Sequence, residues 1–332
     1  MTLKRIAAAA DVSIKTASRA LNGDGPVSKA TRAAVLEAAR AIGYVPDRAA
    51  RTMRTGRTGI VGLLGLGITD SPFATEIVRG LREEIEGAGA ALLIEEASGD
   101  PVASHRLMRS FRPDAVVVAV GYRRALDPVE ASLAADAALV NAVHGDRPSL
   151  VPDDVQGARL QAEHLAALGH RRIGVIELPE GLDARALRRR GLEEGLAACG
   201  VALDPLLLRP GQVGPRAARR TVAFEAATEL LSRPDQPTAL VCSKDEFAMQ
   251  ALFAAARLGL RVPEDVSVIG FDDLRLIADT ARPGLTTIAL PYAEMGRRAA
   301  RAALGGAAVA GVQAVPCALI ERASTAPPRG GG

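Results

Sequence analysis

Tryptophan is absent from this 332-residue chain, and aromatic residues make up only 3% of it. There are three cysteines, Cys199, Cys242 and Cys317, far apart and without a CxxC pair. That odd, scattered set excludes a disulfide framework and a thiolate zinc site, and it reads as buried free thiols. Histidines number four, and His164 and His170 stand six residues apart, on different helix faces or in different elements. No metal, cofactor or catalytic constellation is expected from them. No stretch approaches the roughly 18 apolar residues of a membrane helix. The amino end offers Lys4 and Arg5 before the short run Ile6 to Ala10, which Asp11 breaks, so no signal-peptide core is read there. The expectation is a cytoplasmic protein with no membrane partner.

Acid and base are nearly balanced overall, at +3, but unevenly placed. Residues 1–58 hold eleven Lys or Arg against four acids, net +7, and the remainder is net −4. Three of the four lysines fall within the first 29 residues. A compact basic head on a mildly acidic body is the footprint of a polyanion binder, although a solvated basic surface has the same charge. With 332 residues and 48% hydrophobic composition, the chain is long enough for two or three domains with a sizeable core.

The head divides into short helical segments. Thr2 can cap a helix from Leu3 to Ala10, and Ser13 a second from Ile14 to Leu21. Only Asp11 and Val12 lie between them, which is helix-turn-helix spacing, with Asp11 tolerating the left-handed backbone such a turn needs. In the second helix Ala17, Ala20 and Leu21 share one face, leaving Ile14, Lys15, Ser18, Arg19 and Asn22 on the others. Ser28 can cap a third helix through Ile42, with Val35, Leu36, Ala39 and Ile42 as its core side. A short helical segment, 48–54, then leads into the body.

In the body, strand-like runs at 60–64, 115–120, 173–176, 239–242 and 266–271 alternate with helical segments, implying parallel sheets with crossover helices. Arg79-Gly80-Leu81-Arg82-Glu83 with Gly89 is echoed 111 residues later by Arg190-Gly191-Leu192-Glu193-Glu194 with Gly200. The echo suggests two similar α/β lobes around a cleft, one from 60–158 plus 288–320, the other from 159–287. Gly62-Leu63-Leu64-Gly65-Leu66-Gly67 looks like a dinucleotide loop but has the wrong spacing. Asp272-Asp273 follows a strand as a catalytic pair could, yet no nucleophile elbow, histidine or metal cluster accompanies it.

The runs TLKRIAAAADVSIKTASRALNG and VSKATRAAVLEAARAIGYVPDRAARTMRTGRTGIVGLL resemble the DNA-binding headpiece and hinge of the lactose-repressor (LacI/GalR) family. SPFATEIVRGL, AEHLAALGHRRIGVI and LGLRVPEDVSVIGFDD resemble its effector domain, in the family's order over nearly the whole chain. The resemblance implies a small all-α helix-turn-helix headpiece (1–46), a hinge (47–58), an α/β periplasmic-binding-protein-like two-lobed effector domain with parallel sheets (59–323), and a tail (324–332). The Pro- and Gly-rich tail is expected to be disordered, with no tetramerisation helix.

By the same resemblance, helix 14–21 lies in the major groove of a near-palindromic operator, read by a homodimer. Ile14 and Lys15 occupy the base-reading positions, suited to a thymine methyl and to guanine O6 or N7, with Arg19 a further base contact. Ser13, Thr16, Ser18, Asn22 and Tyr44 match positions that touch phosphate or order the headpiece, and for Ser13 an N-cap alone is sufficient explanation. Arg51, Met53 and Arg54 fall in the hinge, where Met53 takes the place of an intercalating leucine and Asp47 that of an asparagine. At about eight residues the hinge is too short to be stable alone and needs its partner and DNA. Phe73, Arg188, Lys244, Asp245 and Asp272 fall on effector-site positions. Lys244, Ala74 and Val213 depart from the family's asparagine and aromatics, which favours a sugar acid or sugar phosphate over a neutral sugar. Lys244 could equally be held by a neighbouring acid. A cytoplasmic sugar-binding protein without DNA function is the alternative, and it would not need the +7 head.

Overall fold

The computed structural model describes residues 3–22, 25–44, 52–53, 56–69, 71–97, 99–133, 135–214, 218 and 220–329. Contacts divide the chain into two units, Met1–Thr58 and Gly59–Gly332. The first holds the helices Leu3–Ala9, Ile14–Asn22 and Lys29–Ala41 around Ile6, Ala7, Ala17, Ala20, Val35 and Ala39. Asp11 at φ 49° turns the chain between the first two, and Ser28 Oγ accepts from Thr31 N to start the third. Leu36 is 36% exposed: one residue on from buried Val35, it is turned about 100° away from the core side where its hydrophobicity had placed it.

The second unit carries two six-stranded sheets. Its strands in chain order are β1 (Ile60–Leu66), β2 (Ala91–Glu96), β3 (Ala115–Ala125), β4 (Ala138–Val143), β5 (Ser149–Pro152), β6 (Ile173–Glu177) and β7 (Leu208–Pro210). They continue with β8 (Gln212–Val213), β9 (Arg220–Thr221), β10 (Ala239–Cys242), β11 (Ser267–Asp272), β12 (Thr286–Ala289), β13 (Val312–Val315) and β14 (Ala318–Ile320). The first sheet runs β13-β5-β4-β3-β1-β2, all parallel. The second runs β14-β12-β11-β10-β6-β7, parallel except for antiparallel β14. β8 and β9 form a separate antiparallel pair.

The chain passes between lobes after Pro152, before Tyr292 and between Val315 and Ala318, so the boundaries expected at 158, 288 and 320 all shift. Asp153 explains the first: its carboxylate caps Gln156 N at 3.0 Å and starts helix Asp154–Ala167 inside the second lobe. β14 pairs with β12 and therefore also belongs there.

The echoed glycines mark equivalent helix crossings. A Cβ at Gly80 would lie 2.0 Å from Ala293 O, and one at Gly191 2.1 Å from Val155 O. Helices Ala74–Gly87 and Tyr292–Ala303 thus touch backbone to backbone in one lobe, as do Asp183–Ala198 and Asp154–Ala167 in the other. The glycine run after residue 61 is no phosphate cradle, because Gly67 N and Ile68 N already donate to the Glu96 carboxylate at 2.7 and 3.2 Å.

Residues 324–329 are ordered, contrary to the disorder expected from their composition. Ser324 is fully buried, donating to Val268 O at 2.6 Å and accepting from Thr286 N at 2.8 Å. His164 Nε2 meets Thr325 Oγ1 and His170 Nε2 meets Ala326 O, both at 2.9 Å. Burial lowers the pKa of both imidazoles. Specific hydrogen bonds to a sheet outweigh the flexibility that prolines and glycines give a free chain. Among the described residues no helix is long and apolar enough to cross a membrane, and no cluster of His, Cys, Asp or Glu could hold a metal ion.

Candidate functional site

Two places gather the residues singled out by sequence. In the head, Ser13 Oγ accepts from Thr16 N at 3.1 Å and lies 2.9 Å from Thr16 Oγ1. This cap fixes where the second helix begins and hence what faces outward: Ile14, 49% exposed, with exposed Lys15 and Arg19. Thr16 and Ser18 are half-buried. Tyr44 packs on the head core, and its backbone N–H donates to Ala39 O at 2.9 Å at the end of the third helix. Asn22 ends the second helix. Thr52 and Met53 are helical and Met53 is 90% exposed. Asp47, Arg51 and Arg54 lie outside the described residues.

The second place is a cavity of about 240 Å³ between the lobes of the second unit. Phe73, Tyr122, Arg123, Arg124 and Tyr292 line it from the first lobe; Asp154, Arg188, Gln212, Lys244 and Asp272 line it from the second. A register shift between Ala119 and Arg124 in the β3–β4 pairing, with Asn141 at φ 59° donating to Val120 O, bends residues 120–124 at the carboxyl end of the strand. Bulges of this kind re-aim side chains, and strand carboxyl ends are where open α/β sheets bind ligands.

Every cation in the cavity wall already has an acid. Arg123 donates to Asp154 Oδ2 at 2.7 Å and to Pro152 O at 2.8 Å, tying the first lobe to the crossover. Arg124 makes a bidentate pair with Glu130, both contacts at 2.6 Å. Arg188 donates to Asp154 Oδ1 at 2.9 Å, lies 3.6 Å from Asp272 Oδ1 and stacks 3.7 Å over the Phe271 ring. Lys244 pairs with Glu246 and faces the Tyr122 ring at 5.7 Å. The neighbouring-acid reading of Lys244 therefore holds, while the residue still borders the cavity.

Arg123 Nε, Arg124 Nε and Asp272 Oδ2 are the buried atoms of these residues left without a hydrogen-bond partner, and the acid among them is Asp272. Its Oδ2 is buried without a hydrogen-bond partner, and burial pushes its carboxyl well above the usual range, with Arg188 opposing. It and Asp273 follow one another at φ 125° and 52°. Such left-handed backbone costs on the order of 1–3 kcal/mol per residue and clusters at ligand sites.

Asp245 does not line the cavity. It is fully buried, accepting from Leu274 N at 2.7 Å and Thr287 Oγ1 at 2.5 Å, so one oxygen anchors the loop behind Asp272 and the other is tied to strand β12. Burial raises its pKa to about 6. Gly270 makes room for it: a Cβ there would sit 2.1 Å from Asp245 Oδ1. Val213 and Ala74 are also not among the lining residues.

Residues 2–47 match the family profile of bacterial regulatory proteins, lacI family, and residues 162–325 match the periplasmic binding protein-like domain. HTH-type transcriptional repressor CytR of Escherichia coli (strain K12) is 33% identical over 342 residues, covering 98% of this chain and 96% of the relative. The chain belongs to the lacI family. The sucrose operon repressor of Escherichia coli is 32% identical over 330 residues, covering 98% of this chain and 99% of the relative. Among solved structures, a LacI-family regulator from Rhizobium etli gives TM-score 0.75 at 35% identity, covering 81% of this chain and all of that one. The lac repressor dimer bound to operator and the anti-inducer ONPF gives 0.70 at 26%, covering 98% and 99%. This LacI-family chain is a transcriptional regulator with a DNA-binding domain, and its curated relatives are transcriptional repressors and regulators.

Sequence reasoning missed Tyr122, Arg123, Arg124, Asp154, Gln212 and Tyr292 in this regulator's cavity. A usable signal existed for three of them, because Tyr122-Arg123-Arg124 directly follows an apolar strand at its carboxyl end. Nothing local marked Tyr292, which opens a helix remote in sequence.

Proposed function

We propose that this regulator is a homodimeric repressor, without enzymatic activity, that reads a near-palindromic operator with helix Ile14–Asn22. In this reading Ile14, Lys15 and Arg19 contact base edges; Ser13, Thr16, Ser18, Asn22 and Tyr44 set register on the phosphates; and Arg51, Met53 and Arg54 act in the central minor groove. The observation that carries the reading is the second helix of the head, capped by Ser13 and presenting half-exposed Ile14 beside Lys15 on a head of net +7.

The cavity holds the effector, with Phe73, Arg188, Lys244 and Asp272 at its wall. Three aromatic rings supply the platform that the scarcity of aromatics had put in question. Since Arg123, Arg124, Arg188 and Lys244 are each matched by an acid, and the unpartnered atoms of the lining residues are two donors, Arg123 Nε and Arg124 Nε, and one acceptor, Asp272 Oδ2, the site favours a neutral sugar, whose hydroxyls both donate and accept, over a sugar acid or phosphate. The CelR–cellobiose complex, 27% identical with TM-score 0.62 over 98% of this chain and 99% of that one, supports a sugar in such a cleft. Effector binding changes lobe closure and thereby the spacing and folded population of the paired hinges.

The test is a gel shift on the intergenic DNA upstream of the chain's own gene across a salt series. A sequence-specific complex is expected, weakening with a log–log slope of about −0.9 per phosphate contacted. Indifference to operator sequence at every salt concentration would remove the reading.

A further inference from the structure

We propose that the carboxyl-terminal segment is part of the effector site: Arg322 is a positioning residue that holds Asp272 in its strained setting from outside the cleft. The inference rests on the effector reading above.

Asp272 cannot fix its own carboxylate. One oxygen has no hydrogen-bond partner, and the other lies 3.6 Å from Arg188. Its placement comes from the backbone, where Asp272 and Asp273 stand consecutively at φ 125° and 52°. Two successive left-handed aspartates relax unless neighbouring structure over-determines them.

Two anchors do so. On the inner side Asp245 takes Leu274 N. On the outer side a single guanidinium joins both ends of the following loop: Arg322 Nη2 donates to Asp273 Oδ1 at 2.8 Å and Asp279 Oδ1 at 2.7 Å, and Nη1 donates to Leu285 O at 2.9 Å. Arg322 is itself fixed by its N–H on Thr286 Oγ1 at 3.0 Å and by buried Ser324 two residues on. Its side chain is 19% exposed, so solvent screens these contacts less than those of a surface pair. A planar fork is needed to reach three acceptors; an ammonium group reproduces the charge but not the span. Without the fork Asp273 returns to ordinary backbone, the Asp272–Asp273 peptide rotates, and the carboxylate leaves the cavity wall.

The test uses the full-length protein and the variants Arg322→Gln, Arg322→Lys and Asp273→Ala. Hydrogen exchange by mass spectrometry follows the peptide 272–281, operator gel shift follows the head, and thermal shift with glucose, ribose, sucrose and cellobiose follows the cavity. In Arg322→Gln, exchange at 272–281 is expected to rise about tenfold, and affinity for any sugar that shifts the native protein to fall about tenfold, the scale of one relieved strained residue. Operator affinity should stay within about twofold, with Arg322→Lys intermediate. Native-like exchange at 272–281, or a rise spread evenly over the second lobe, would overturn the proposal. Asp273→Ala removes the Asp273 acceptor, keeps the Asp279 and Leu285 contacts and carries the same expectation if Arg322→Gln does not fold. If none of the four sugars shifts the native protein, the neutral-sugar reading fails, and the exchange comparison still decides whether Arg322 clamps the loop.

Discussion

Ile14 is 49% exposed on a helix whose opposite side is buried, and its neighbour Lys15 is exposed as well. Ser13 accounts for the first turn by capping it, so nothing in the head's own stability calls for an isoleucine at the next position. The side chain is available to meet a thymine methyl, an apolar contact without charge. Ile14→Ala is therefore expected to relax preference at one base pair per half-site by about 1 kcal/mol, the low end of per-base discrimination, while leaving nonspecific affinity unchanged. Competition gel shifts against single-base operator variants measure this. A uniform loss across all sequences would instead mean that Ile14 packs the head.

At the scale of elements, the two lobes are built around the same close crossing of two helices. Gly191 and Gly80 permit it, each with a backbone oxygen where a Cβ would stand. Gly191→Ala must push helices Asp183–Ala198 and Asp154–Ala167 apart, and these carry Arg188 and its partner Asp154. A loss of about 1–3 kcal/mol in urea unfolding is expected, as for other overpacked contacts. Gly87→Ala, at a helix end with nothing within 4 Å, should be neutral or stabilising by up to about 1 kcal/mol. Equal effects at the two positions would show that helix propensity rather than the crossing sets the outcome.

For the whole molecule, pH connects the ligand loop to global stability through Asp245. Its folded pKa of about 6 stands above the ordinary 3.8 because of burial. Between those values the folded chain binds more protons than the unfolded one, so this group's contribution falls as pH rises through the window and is constant above it. Relative to Asp245→Asn, the native protein should lose about 2 kcal/mol of stability between pH 4 and pH 6.5, at 1.36 kcal/mol per pK unit over the part of the window these limits span. Denaturant melts at stepped pH measure the difference. A flat difference would mean that the carboxyl does not titrate in this range.

What the sequence determined by itself is local. The caps at Ser13 and Ser28, the left-handed turn at Asp11 and the strand cores follow from residue type and spacing, as does the echo at Gly80 and Gly191, because these signals act within a turn, a strand or a helix length. Family motifs likewise carried Phe73, Arg188, Lys244 and Asp272 to the cavity wall. Tertiary structure decided what depends on partners distant in the chain. Asp245 anchors a loop because Leu274 N and Thr287 Oγ1 reach it first. Arg123 meets Asp154 only where the first lobe joins the crossover. Residues 324–329, flexible by composition, are ordered because Ser324, Thr325 and Ala326 find hydrogen-bond partners on the second sheet and its flanking histidines. Composition sets the freedom a segment would have alone, and the surface it lies against determines how much of that freedom remains.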